Sequence, residues 1–137
     1  MTAPRDRSIA RVLLVDDGPD QVEMYQFALE SAAFDVSAAY TGRSAIERAR
    51  ELVPDVIVLD VRMPDVSGWD VCVALKADPR TAGIPIVILT AAASAALAED
   101  AAQAGCVAYL VKPCYPDDLA RTLRVVLGSA EASDVQG

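Results

Sequence analysis

Asp16, Asp17, Asp60, Thr90 and Lys112 carry side chains suited to phosphoryl chemistry, and each follows a short apolar run. Val12-Leu13-Leu14-Val15 leads into Asp16-Asp17, and Val56-Ile57-Val58-Leu59 into Asp60. Ile86-Val87-Ile88-Leu89 leads into Thr90, and Val107-Ala108-Tyr109-Leu110-Val111 into Lys112. One carboxylate can accept a phosphoryl group while others hold a divalent cation, and a hydroxyl and an ammonium can grip phosphoryl oxygens. Runs of this length, rich in Val, Ile and Leu, read as strands buried on both faces. In an open parallel sheet the carboxyl ends of such strands face one crevice. Five groups far apart in sequence are therefore expected to meet at one edge of one sheet.

The elements that must position them alternate along the chain, which is the pattern of βα units around a parallel sheet. Strands are expected at about 10–15, 35–39, 55–59, 85–89 and 107–111. Between them fall helices at about 19–33, from Thr41 to before Pro54, 69–77 and 94–104, with a last one at 116–127. Pro19 and Pro116 suit a first helical turn, Thr41 can cap, and Gly105 suits a helix end. Met63-Pro64-Asp65 and Ser67-Gly68 favour turns. The expected fold class is α/β, a doubly wound five-stranded parallel sheet with five helices. Residues 1–9 are read as an N-terminal extension, 10–128 as the domain and 129–137 as a disordered tail.

Composition narrows the function. The chain is 53% apolar but only 5% aromatic, so its core must be built mainly from Val, Leu, Ile and Ala. A net charge of −8 argues against direct nucleic-acid or anionic-membrane partners. No run approaches the ~18 apolar residues of a membrane span, and Met1–Ser8 lacks the apolar stretch of a signal peptide. A cytoplasmic location is expected. Cys72, Cys106 and Cys114 show no metal-ligand spacing and read as reduced thiols, Cys72 in an apolar helix and Cys114 in a more open position. Histidine is absent, which removes Ser-His and Cys-His machinery and any phosphohistidine on this chain.

Taken singly, each candidate has a plainer role: a helix cap for Asp16 or Asp17, a turn for Asp60, a backbone-satisfied hydroxyl for Thr90, a solvated cation for Lys112. The ordered set is more specific. Asp16-Asp17, Asp60 with Met63-Pro64 and Gly68 after it, Thr90, and Tyr109-Leu110-Val111-Lys112-Pro113 together resemble a response-regulator receiver domain of two-component signalling, over residues 10 to 128. The resemblance implies the flavodoxin-like strand order 2-1-3-4-5. It implies Asp60 as phosphoryl acceptor, with Mg²⁺ (Mn²⁺ as a substitute) held by Asp17, Asp60 and the backbone carbonyl of Arg62, and by Asp16 through a water. Thr90 and Lys112 would bind phosphoryl oxygens, and Pro113 would follow a cis bond. Thr90 and Tyr109 would form a switch that alters the surface of helix 4, strand 5 and helix 5. The implied partners are a histidine kinase or histidine phosphotransfer protein and a downstream target protein. The chain would be a stand-alone regulator rather than a turnover enzyme.

Some positions depart from the family pattern. Gly18 replaces a larger polar residue. Arg62, at the rim of the site, and the small Ala91 and Ala92 are candidate modulators of the phosphorylated form's lifetime. Helix 4, with Ala95, Ala96, Ala98, Ala101, Ala102 and Ala104, has few bulky anchors. Three other readings stay open: a receiver-like module that works without phosphorylation, the receiver part of a longer protein, and a haloacid-dehalogenase-type phosphohydrolase. The last wants a second Asp where Arg62 stands.

Overall fold

The structure is a computed structural model that describes the backbone of residues 9–136 and the side chains of residues 9–128. Five strands, β1 (Arg11–Val15), β2 (Asp35–Ala39), β3 (Val56–Leu59), β4 (Ile86–Thr90) and β5 (Ala108–Val111), form one parallel sheet in the order β2-β1-β3-β4-β5. Five helices join them: α1 (Pro19–Ser31), α2 (Gly42–Leu52), α3 (Gly68–Ala77), α4 (Leu97–Gln103) and α5 (Pro116–Gln136). No helix among the described residues is long and apolar enough to cross a membrane.

Strand side chains alternate between faces, so the central strands feed two cores. β5, at the sheet edge, turns only Ala108 and Leu110 inward and leaves Tyr109 and Val111 exposed, so its run is not buried on both faces as expected. Leu13, Val15, Ile57, Leu59, Ile86 and Ile88 pack against Ala45 and Ala49 of α2, Val71, Cys72 and Leu75 of α3, and Leu97 and Ala101 of α4. Val12, Leu14, Val56, Val58, Val87 and Leu89 pack against Val22, Tyr25 and Leu29 of α1 and Leu119, Ala120 and Leu123 of α5. Burial on both faces explains why these strands read as unbroken apolar runs. Register then aligns their carboxyl ends: Val15 pairs with Leu59, Leu59 with Ile88, and Thr90 with Val111.

Local signals account for most boundaries. The Thr41 hydroxyl accepts from the Ser44 N–H at 3.1 Å in a capping box at the start of α2. Gly105 has φ +82°, a left-handed conformation that costs glycine little. Val53 ends α2 at φ 44°, a conformation a β-branched residue adopts rarely, because Pro54 bars the helical conformation before it.

Two expectations need correction. Residues 94–96 lie outside α4, whose N-cap position is Ala96, a residue with no side-chain acceptor to start the helix earlier. The last helix, expected to end at about 127, continues in its backbone to Gln136. Ala130, Glu131 and Ala132 are good helix formers, and no proline follows to stop the chain. Of the expected N-terminal extension, residues 1–8 lie outside the described residues, as does Gly137.

Candidate functional site

The register places Asp16 and Asp60 one step beyond paired strand ends. The Asp60 N–H donates to the Val15 carbonyl at 3.0 Å and the Asp16 N–H to the Ala39 carbonyl at 3.1 Å, so both carboxylates leave the sheet at the same level. Asp16 and Asp60 are 5% and 7% exposed, which means their charges are largely desolvated, whereas Asp17 is exposed. One carboxylate oxygen from each of the three lies within 4.8 Å of the other two.

Each buried carboxylate is oriented by its neighbours. Asp60 Oδ1 accepts from the Thr90 hydroxyl at 2.9 Å and from the Arg62 N–H at 3.0 Å. Thr90 is itself fully buried and accepts from the Ala92 N–H at 3.0 Å. Asp16 Oδ1 accepts from the Gly18 N–H at 2.9 Å, which draws the loop tightly around the carboxylate. Lys112 reaches the cluster from the end of β5, where its N–H donates to the Thr90 carbonyl at 2.9 Å. Its ammonium donates to Asp16 Oδ2 and to Gln21 Oε1, and stands 3.2 Å from Asp60 Oδ2. Burial works against the Lys112 charge, but the hydrogen bond to Asp16 and the charges of Asp60 and Asp16 outweigh it and hold its pKa above the ordinary lysine value.

Three carboxylates therefore face one ammonium, and the residual negative charge calls for a further cation. The donors are hard oxygens, the set that Mg²⁺ or Mn²⁺ takes, and they include no sulfur or imidazole that would favour zinc or copper. On donor chemistry the residues fit a hard divalent ion. A lone lysine among several acids does not close the charge balance.

The loop that brings Arg62 to the rim is fixed from two sides. Both Asp65 carboxylate oxygens accept from the first turn of α2, from the Gly42 N–H at 2.8 Å and the Arg43 N–H at 3.0 Å, and these bonds hold its pKa below the usual carboxylate value. At Gly68, an added Cβ would lie 2.5 Å from Val61 Cα and 2.6 Å from the Asp60 carbonyl oxygen, so only glycine allows α3 to start so close to the end of β3. Arg62 and Ala91 are exposed and Ala92 is half-buried, so all three stand at the rim. The Lys112–Pro113 bond is cis.

Tyr109 is 44% exposed. It lines a cleft between α4 and β5 together with Ala98, Ala101 and Ala102. The alanines that deprive α4 of anchors also leave this space beside the ring.

Two residues that help set the site are hard to see in the sequence. Gln21 and Tyr25 lie one turn apart on the same face of α1. Gln21 accepts from Lys112, and the Tyr25 hydroxyl donates to the Cys114 carbonyl at 2.7 Å, tying α1 to the segment after Pro113. Burial, followed by the neighbouring Cys114, pushes the Tyr25 phenol above its usual pKa, so it stays a donor at neutral pH. The spacing of these two residues was a usable signal, but nothing in it names their partners.

A family model described as response regulator receiver domain matches residues 12–124. The DNA-binding response regulator MtrA of Mycolicibacterium smegmatis is 37% identical over 117 residues, covering 85% of this chain and 50% of that protein. The chain thus spans about half the length of the first curated relatives it matches. The polar-differentiation response regulator DivK of Brucella ovis is 32% identical over 119 residues, covering 87% of this chain and 97% of that protein. The signal receiver domain of a LuxO repressor protein from Vibrio parahaemolyticus superposes with a TM-score of 0.85 at 31% identity, covering 93% of this chain and 96% of that one. Chemotaxis protein CheY4 of Vibrio cholerae gives 0.81 at 33% identity, covering 86% and 98%.

Proposed function

Since the chain belongs to the response-regulator receiver family of two-component signalling, we propose that Asp60 accepts a phosphoryl group from a phosphohistidine on a partner kinase or phosphotransfer protein. The observation that carries this reading is the convergence of Asp16, Asp17, Asp60, Thr90 and Lys112 at the carboxyl edge of the sheet. In the transfer, a carboxylate oxygen of Asp60 forms a bond to phosphorus as the bond from phosphorus to the donor's imidazole nitrogen breaks. Asp17, Asp60 and the Arg62 carbonyl would hold Mg²⁺, or Mn²⁺ in its stead, with Asp16 acting through a water. Bound there, the ion neutralises carboxylate and phosphoryl charge and orients the acceptor.

The chain's own residues supply the rest. Lys112 exchanges part of its contact with the acids for a phosphoryl oxygen. The Thr90 hydroxyl, now spent on Asp60 Oδ1, turns to a second phosphoryl oxygen. Burial of Thr90 and Asp60 limits water at the reacting atoms. Arg62 and the small Ala91 and Ala92 at the rim control access of donor and water, and so modulate the lifetime of the phosphorylated form.

Output follows from a coupling between the site and β5. Movement of Thr90 toward the phosphoryl group frees space that the Tyr109 ring fills by rotating inward along the alanine-lined cleft. The surface of α4, β5 and α5 then differs between two states, and a target protein that prefers one of them reads the signal.

Phosphotransfer from a panel of histidine kinases and phosphotransfer proteins tests the reading. Label should move from at least one phosphohistidine donor to the native chain and not to Asp60→Asn. Absence of transfer from every donor would favour a module that works without phosphorylation. A Tyr109→Ala chain that is phosphorylated and still binds its target with normal phosphorylation dependence would remove the switch from the account.

A further inference from the structure

Cys72 and Cys106 take no part in the phosphoacceptor chemistry. Cys72 is fully buried on α3, and Cys106 stands half-buried in the turn between α4 and β5. Their sulfur atoms lie 3.6 Å apart across 34 sequence positions. A disulfide needs an S–S distance of ~2.05 Å, so the two atoms are in van der Waals contact and must approach by about 1.5 Å to be joined.

The two sulfurs differ in access. Cys106 lines the cleft of about 400 Å³ between α4 and β5, whose walls include Ala98, Ala101, Ala102 and Ala108. Methyl walls leave room for a small oxidant. Cys72 is sealed in the core under the same turn.

They also differ in charge environment. Lys76 lies one helical turn beyond Cys72 on the same face of α3. Its stem runs under the turn that holds Cys106, since a Cβ added at Gly105 would lie 3.4 Å from Lys76 Cε. The hydrogen bond between the two sulfurs, aided by Lys76 against the effect of burial, draws the Cys106 thiol below its ordinary pKa. The same hydrogen bond, together with burial, raises Cys72. A sulfur reachable from the cleft thus touches one sealed in the core, the arrangement of an oxidised cysteine and its resolving partner.

We propose that Cys106 and Cys72 form an oxidation site in which a hydroperoxide oxidises Cys106 and Cys72 then closes a disulfide. The Cys106 thiolate attacks one oxygen of hydrogen peroxide. An S–O bond forms, the O–O bond breaks, and hydroxide leaves and takes up the proton released by the thiol. The Cys72 sulfur then attacks the Cys106 sulfenic acid. The S–S bond forms, the S–O bond breaks, and the Cys72 proton leaves with the hydroxyl as water. Two thiols lose two electrons, and one peroxide becomes two waters. The bridge fastens the turn before β5 to α3. The inference is independent of phosphorylation.

The test treats the full chain with a small molar excess of hydrogen peroxide, alkylates the remaining thiols, and maps peptides without reductant. The expected product has lost two hydrogen atoms, joins the peptides of Cys72 and Cys106, leaves Cys114 alkylated, and reverts with dithiothreitol. In Cys72→Ala the same treatment leaves a sulfenic acid on Cys106 that dimedone traps. The native-chain map decides the matter even where that variant folds poorly. Oxidation confined to Cys114, or oxidised Cys106 with no Cys72–Cys106 peptide from the native chain, would overturn the proposal.

Discussion

Replacing Asp60 by Asn should make the metal-free chain more stable, although it removes an ion pair. Lys112 Nζ stands 3.2 Å from Asp60 Oδ2, and one oxygen each from Asp16 and Asp17 lies within 4.8 Å of one from Asp60. With an effective dielectric constant of ~20, the attraction is about 5 kcal/mol and each repulsion at least about 3.5 kcal/mol. Two repulsions therefore outweigh the attraction, by about 2 kcal/mol, before the screening that reduces the share of exposed Asp17. Desolvation of a carboxylate only 7% exposed adds to the same side. Asn keeps an oxygen for the Thr90 hydroxyl and the Arg62 N–H, and Lys112 keeps Asp16 and Gln21. The expected gain is about 1–2 kcal/mol, which for a domain of this length raises Tm by about 3–7 °C. Thermal unfolding in a chelator reads it directly. Added Mg²⁺ should then raise the Tm of the parent and have a smaller effect on Asp60→Asn, because only binding to the folded state stabilises it. If Asp60→Asn melts at or below the parent in chelator, Lys112 already balances the acids and the charge argument for a cation fails.

Gly68→Ala drives a Cβ into the backbone at and just after Asp60, at 2.5 Å from Val61 Cα. Urea unfolding should show a loss of about 2–4 kcal/mol, and the rate of Asp60 phosphorylation should fall by about tenfold or more as the acceptor shifts. Tyr25→Phe removes the donor to the Cys114 carbonyl, which should cost about 1 kcal/mol and speed hydrogen exchange in residues 112–115. The side chain and N–H of Arg80 lower the Asp78 carboxyl to about 2. A depressed folded-state pKa contributes stability that is complete above the ordinary carboxylate value and lost as pH falls through it toward about 2. Asp78→Asn should therefore flatten the acid limb of the stability profile, measured by urea midpoints from neutral pH downward.

Much of this was legible in the sequence because a strand buried on both faces leaves an unbroken apolar run. Val56–Leu59 and Ile86–Leu89 can hardly be anything else beside Pro54 and Pro85. The site was legible for a related reason: strand ends in a parallel sheet share one edge, so a chemically apt residue after each run implies a meeting point. Periodicity carries no register, however, and the pairing of Val15 with Leu59 that levels Asp16 with Asp60 is visible only in three dimensions. The same holds for contacts that depend on which loops lie together. Asp65 reads as a turn residue, yet both its oxygens cap α2. Cys72 reads as a small buried hydrophobe, yet its sulfur touches Cys106. The limits of α4 and α5 were missed because each depends on the balance between local propensity and a weak stop signal.

The central claim is that Asp60 is a phosphoryl acceptor served by a divalent ion among Asp16, Asp17 and Asp60. Incubation of the native chain with a small acyl phosphate and Mg²⁺, followed by intact mass and peptide mapping, tests it most directly. One phosphoryl adduct on Asp60, lost in chelator and in Asp60→Asn, is the expected result. An unmodified chain, an adduct on another residue, or equal modification without a divalent ion would contradict the account.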